Sequence, residues 1–186
     1  MNEVLKAIAA RYSCRDFDGV MPEEAKLQAI AQAAVAAPSS RNRQPWRVIL
    51  LENKQLLDEM EAEGIAAIRA MPDKSLHERV MSRGGTVFYH APCMVLLAID
   101  PTERAEALLD CGIVCQTIAL AATSLGIDNL ICGMARLAFA GEKAEYFKEK
   151  LGFPPEFEFG GAILLGHAAT VTMPHTPDTG KISRVK

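Results

Sequence analysis

The stretch from Glu103 to Gly126 constrains this chain more than any other. Its middle residues, Leu108, Leu109, Ile113, Val114, Ile118, Ala119, Leu120, Ala121 and Ala122, place apolar side chains on almost every side of a helix. Such a helix has no face to give to water, so the pattern predicts one that is buried all round. The chain has 186 residues, enough for one domain spanning 1–186 with a real core. In a unit of that size, a helix buried on every side is expected to lie at a subunit interface as well as on its own core.

The rest of the chain alternates helical and strand signals without regular β-α-β order. Val4, Leu5 and Ile8 form a short amphipathic stripe behind an Asn2 cap. Pro22, Glu23 and Glu24 read as a helix first turn, and Leu27, Ile30, Ala31, Ala34 and Val35 carry that helix toward Pro38. Trp46 to Leu51 reads as a strand, Asn53 to Gly64 as a helix and Ser75 to Ser82 as a short helix after Pro72. Cys93 to Ile99 is a continuous apolar run of strand length. Asn129 to Gly133 and Phe159 to Gly166 are further strands, with a helix from Glu142 to Leu151 stopped by Gly152. No Gly-x-Gly-x-x-Gly turn follows a first strand, which argues against a Rossmann dinucleotide site. The expected class is an α+β layer structure. The tail, 170–186, is too polar to fold alone and is expected to drape over another surface.

A net charge of -3 excludes a general nucleic-acid surface, which needs a strong basic excess. No stretch approaches the roughly 18 uninterrupted apolar residues of a membrane span, and Met1-Asn2-Glu3-Val4 has no signal-peptide pattern, so a cytoplasmic protein without a membrane partner is expected. Five cysteines, none in a Cys-x-x-Cys spacing, fit free thiols in a reducing compartment. Cys111 and Cys115 lie one helical turn apart and read as small apolar core residues. The four histidines show no metal-ligand spacing.

Two early segments carry the chemistry. In Arg11-Tyr12-Ser13-Cys14-Arg15-Asp16-Phe17, an extended backbone points Arg11, Ser13 and Arg15 to one side. Two planar, permanently charged donor forks and a hydroxyl around one point suit a phosphate. On their own these arginines would equally be solvated surface groups, or a site for another phosphorylated metabolite. In Ala37-Pro38-Ser39-Ser40-Arg41-Asn42-Arg43-Gln44-Pro45-Trp46, small polar residues between two prolines describe a fixed loop. Trp46, the only tryptophan, opens an apolar strand and reads as a core anchor ahead of a flavin stack.

These two segments, at this separation, resemble the opening of the nitroreductase family of FMN-dependent oxidoreductases. Every position of Arg-x-Ser-x-Arg/Lys-x-Phe and Ala-Pro-Ser-Ser-x-Asn-x-Gln-Pro-Trp is filled. The likeness continues more loosely through Ala91-Pro92, the long helix, Ile131-Cys132-Gly133-Met134 and the strand ending at Gly166.

The resemblance implies a nitroreductase-like, mostly antiparallel central sheet flanked by helices, in a homodimer with FMN at the subunit interface. It implies an enzyme that takes a hydride from NADH or NADPH at flavin N5 and passes it to a small organic acceptor by a ping-pong mechanism. The acceptor class is nitroaromatic, quinone or enone. A non-catalytic FMN store or sensor is the alternative. The cofactor-binding residues so implied are Arg11, Tyr12, Ser13 and Arg15, with Arg15 suited to the N1 and O2 ring edge. Lys181 or Arg184 reaches the phosphate from the tail. Pro38, Ser39, Ser40, Asn42 and Gln44 serve the partner's flavin, and Ile131, Cys132 and Gly133 present main-chain N–H groups to N5 and O4. No side chain is required as acid or base. In some relatives an acidic residue stands where this chain has Cys132 and a proline where it has Leu130, and a plain core strand with a glycine bulge is the other reading of that stretch.

Overall fold

Four antiparallel strands form the centre of the computed structural model, which describes residues 1–185. They are β1 (Trp46–Leu51), β2 (Cys93–Ile99), β3 (Asp128–Ile131) and β4 (Glu158–Gly166), in the spatial order β1-β2-β4-β3. The six α-helices are α1 (Glu3–Ala10), α2 (Glu24–Val35), α3 (Lys54–Ala70), α4 (Ser75–Met81), α5 (Arg104–Ser124) and α6 (Ala144–Leu151). Asn2 caps α1 through its side chain, accepting the Leu5 N–H at 3.0 Å.

The uninterrupted apolar run of β2 is explained by burial on both faces. Cys93, Val95, Leu97 and Ile99 pack with α2 and α5, together with Trp46, while Met94 and Leu96 face a second cluster built from α3, α4, α6 and the segment after β3. Trp46 is therefore a core anchor. Cys111 and Cys115 do face the same way, into the α2–α5 side.

The ladder between β2 and β4 slips once, from Leu97 opposite Gly161 to Ala98 opposite Phe159, leaving Gly160 as the extra residue. A Cβ at Gly160 would lie 2.5 Å from Ile99 Cγ2 and 2.8 Å from Cys111 Sγ. Glycine here lets α5 lie directly on the bulged strand.

Several expectations are corrected. The α5 helix is not buried all round: Leu108, Leu109, Gly112 and Gln116 form an exposed stripe, with Leu109 68% exposed. By length and composition α5 is also apolar enough to cross a membrane, contrary to the reading that no stretch approaches a span. Its inner residues Ala107, Cys111, Val114, Ile118 and Ala122 pack on the sheet, as in a core helix. The α3 helix does not stop at Gly64 but continues to Ala70, because Gly64 is buried near Leu137 and Val87, 3.7 and 3.8 Å from where its Cβ would stand. The strand expected over 129–133 ends at Ile131, where pairing with Ile163 ends. Gly152 closes α6 in the left-handed conformation as expected, with φ 67°.

Candidate functional site

Residues 11–18 form no helix or long strand, yet main-chain bonds to three elements hold them extended. Cys14 N–H donates to Asn129 O, Phe17 N–H to Tyr89 O and Asp18 N–H to His167 O, while Asp16 O accepts Ala169 N–H. The alternation read from the sequence holds here. Cys14 is fully buried, and Tyr12 donates its hydroxyl to Asp128 Oδ1 at 2.8 Å. Asp128 Oδ2 in turn accepts Ala168 N–H at 2.9 Å, so one carboxylate ties this segment to the chain leaving β4. Burial and that neighbouring carboxylate push the Tyr12 phenol well above its ordinary pKa, which keeps it a donor.

Arg11, Tyr12, Ser13 and Arg15 line one open cavity of about 350 Å³ together with Thr172, Met173 and His175. Among the described residues, neither Arg11 nor Arg15 is held by a carboxylate. Arg15 donates only to Ser13 O, at 3.3 Å. Two uncommitted guanidinium groups and a hydroxyl around a hollow fit an anion such as the phosphate of FMN. Lys181 and Arg184 do not line this cavity; Lys181 is exposed, with its amine 3.9 Å from Asp178. Thr172 and His175 are the tail residues that sequence reasoning missed, since a polar segment without periodicity gives no sign of where it lies.

The second motif forms a tight loop around a 3-10 turn at Ser40–Asn42. Arg41, Asn42 and Gln44 have φ of 53°, 55° and 49°, a conformation non-glycine residues seldom adopt. Local bonds hold it. Ser40 N–H is shared by both oxygens of Asp110 at 3.2 Å, Gln44 N–H donates to Ser39 Oγ at 2.9 Å, and Gln44 Nε2 donates to Asn42 Oδ1 at 3.0 Å. Arg41 and Arg43 both pair with Glu103. Asp110, only 3% exposed, anchors the loop to α5. Pro38 precedes this turn, and none of the loop residues lines the Arg11 cavity of the same chain.

At the end of β3, Ile131 is exposed and Cys132 is buried. The Cys132 N–H is already bonded to Ala162 O at 2.8 Å, so it is not free to face a ligand, contrary to the expectation for that residue. Its thiol donates to Val87 O at 3.6 Å, and burial raises its pKa. Gly133 opens a 3-10 stretch, Gly133–Phe139, rather than continuing the strand, so its N–H has no partner within the helix. The glycine bulge considered for this region is at Gly160 instead. Ile131, Gly133 and Arg136 border a second cavity of about 350 Å³ against Leu108 and Gly112 of α5.

The segment 86–89 buttresses both site segments. Val87 O takes the Cys132 thiol and Tyr89 O takes Phe17 N–H. Glu61 on α3 holds it by accepting from the Thr86 hydroxyl and from the N–H groups of Val87 and Phe88. No local sequence signal marks Glu61, because its partners stand 25 to 27 positions later.

An antiparallel sheet between helical layers, with an arginine-lined hollow on the segment before α2, defines an α+β fold. The sequence profile of the Nitroreductase family matches residues 8–167, and the chain belongs to that family. The protein is similar to a nitroreductase from Desulfitobacterium hafniense DCB-2 whose crystal structure holds FMN, with 59% identity, a TM-score of 0.98 and full coverage of both chains. A nitroreductase from Bacteroides fragilis, also with bound FMN, matches at 29% identity and a TM-score of 0.90, again over both full chains. An Archaeoglobus fulgidus protein provisionally named NADH dehydrogenase/NAD(P)H nitroreductase is 25% identical over 171 residues, 90% of this chain and 86% of its own length.

Proposed function

We propose that this protein is a homodimeric, FMN-dependent NAD(P)H oxidoreductase that reduces a small organic acceptor by a ping-pong mechanism. The observation that carries this reading is the hollow lined by the unpaired Arg11 and Arg15 with Ser13, in a chain similar along its whole length to an FMN-bound nitroreductase. When bound, FMN supplies the hydride chemistry, accepting from the nicotinamide and giving to the acceptor.

The residues present divide the binding work. Arg11 and Ser13 neutralise and bond the phosphate, with Tyr12 fixing their segment through Asp128. Arg15 offers a cation to the N1 and O2 edge of the ring, where negative charge develops. Gly133 offers a free main-chain N–H to the opposite edge, beside Ile131. Cys132 packs behind that edge and supplies neither donor nor acid.

The loop Pro38–Gln44 and the Arg11 cavity share no lining residue within one chain, and α5 leaves an apolar stripe uncovered. Pairing two chains through that stripe covers Leu108 and Leu109 and brings Ser39, Ser40, Asn42 and Gln44 to the partner's flavin. Since neither lines the Arg11 cavity of its own chain, Lys181 or Arg184 would reach the phosphate from the partner's tail in that assembly.

Sedimentation with absorbance detection tests the assembly. The expected species is a yellow dimer, and a monomer that retains FMN would refute a shared site. Steady-state kinetics test the order of events: double-reciprocal plots are expected to be parallel, and intersecting lines would mean that donor and acceptor bind together.

A further inference from the structure

The Asp110 carboxylate is buried, 3% exposed, and among the described residues the donor bonded to it is the Ser40 N–H, which its two oxygens share at 3.2 Å. A buried carboxylate is costly unless donors meet it. What meets this one is the main chain of a loop. The crevice between loop and helix, lined also by Arg43, Pro45 and Ala107, is too narrow for a water molecule, so solvent does not stand in for the bond.

The loop needs such a hold. Arg41 and Gln44 stand at φ of 53° and 49°, with Asn42 between them at 55°, and backbone of this kind persists where its surroundings fix it. Turn bonds from Asn42 N–H to Ser39 O at 3.0 Å and from Arg43 N–H to Ser40 O at 3.1 Å close the loop on itself without fixing where it stands on the fold. Two ties to the helix do that. Glu103 pairs with the side-chain ends of Arg41 and Arg43, which are 68% and 30% exposed, and salt screens pairs so placed. Asp110 grips the main chain itself, from the buried side. It does so from the turn of α5 that also presents Leu109 and Gly112 outward. One rigid helix therefore carries both the uncovered stripe and the anchor of the loop, and fixes the distance between them.

We propose that Asp110 is a positioning residue that acts in trans, setting the loop of its own chain against the FMN held by the partner's Arg11 and taking no part in the site that Arg11 of its own chain lines. The assignment rests on the shared-site reading above. It accounts for a loop held rigidly on α5 although none of its residues lines the Arg11 cavity of the same chain. Loss of a hydrogen bond to a charged group corresponds to about 10- to 100-fold in the affinity that depends on it.

The test titrates FMN into dimers of full-length chains and follows quenching of flavin fluorescence. Asp110→Leu fills the buried space with an apolar group of similar shape and removes the acceptor, whereas Asp110→Asn keeps one oxygen for the Ser40 N–H. As homodimers, the Leu variant is expected to bind FMN about 10- to 100-fold more weakly than the parent and the Asn variant within about 3-fold of it. Parental affinity in the Leu variant overturns the proposal, as does an Asn variant as weak as the Leu variant. Should the Leu chain fail to assemble, Asp110→Ser, too short to reach Ser40, replaces it. The decisive reading comes from mixed dimers of an Asp110→Leu chain with an Arg11→Ala chain. Action in trans places both defects in one site and none in the other, so one site per dimer is expected to regain parental affinity. Action in the same chain leaves a defect in each site, and a mixed dimer without a parental site overturns the proposal. Mixed dimers of Asn42→Ala with Arg11→Ala report on the shared site itself. A parental site recovered there but not with Asp110→Leu removes the role of Asp110 alone, and no recovery in either mixture removes the shared-site reading with it.

Discussion

Removing the Glu61 carboxylate deprives three donors at once. Glu61 Oε1 accepts the Thr86 hydroxyl at 2.5 Å and the N–H groups of Val87 and Phe88 at 2.7 Å each. Val87 and Phe88 are 0% and 2% exposed, so water cannot take the acceptor's place without opening the segment. A buried donor left unpaired costs about 1–3 kcal/mol, and two main-chain donors give a total of about 2–6 kcal/mol. Glu61 itself is only partly buried, and the Thr86 hydroxyl can turn, which favours the lower half of that range. Glu61→Ala is therefore expected to lose about 2–4 kcal/mol in urea denaturation. Glu61→Gln keeps a carbonyl at the same place and is expected to stay within about 1 kcal/mol of the parent. Because Val87 O and Tyr89 O hold Cys132 and Phe17, Glu61→Ala should also weaken FMN binding. An Ala variant as stable as the parent would refute the buttress, and a Gln variant as damaged as the Ala variant would show that charge, rather than an acceptor, is what the segment needs.

Arg11→Ala is expected to lower FMN affinity about 10- to 100-fold while riboflavin, which lacks the phosphate, loses little; equal losses for both ligands would remove Arg11 from the phosphate site. Gly160→Ala adds a Cβ at 2.5 Å from Ile99 Cγ2 and 3.2 Å from the main-chain oxygen of Leu97, and a loss of about 1–3 kcal/mol in chemical denaturation is expected. Burial pushes Cys93 and Cys111 up to about 12 and Cys115 up to about 11. These folded-state values lie above the unfolded thiol value of about 8.5, so the stability they carry is complete below that pH and is lost as pH rises toward the folded values. At pH 10 the loss is about 2 kcal/mol per buried thiol, to be read by denaturation at pH 7 and pH 10; a Cys115→Ala variant should show a shallower decline, and an unchanged slope would refute the assignment.

Where physical constraints are local, the sequence displays them. The unbroken apolar run Cys93–Ile99 predicts a strand, and it forms one, packed on both faces. Arg11, Ser13 and Arg15 meet at one cavity, as their spacing on an extended backbone leads one to expect. Distant partners decided the rest. Gly64 looks like a helix end, but packing against Leu137 and Val87 carries α3 through it. The β3 ladder ends at Ile131 opposite Ile163, with one further bond from Cys132 N–H to Ala162 O before the chain turns into the 3-10 stretch at Gly133. The α5 pattern states that every face wants cover, whereas the described chain leaves Leu108 and Leu109 exposed. Glu61, Asp128 and His175 escaped notice for the same reason: each acts on residues far away in sequence.

The central claim is that bound flavin in this fold exchanges hydride with a nicotinamide nucleotide. Anaerobic titration of the purified, FMN-loaded protein with NADPH and with NADH, following the visible flavin absorbance, tests it most directly. The account predicts that the flavin band bleaches with at least one of the two nucleotides and returns on addition of a quinone or nitroaromatic. A yellow protein whose band is bleached by dithionite but is unmoved by either nucleotide would contradict it, and would mark the chain as a binder of flavin rather than an enzyme.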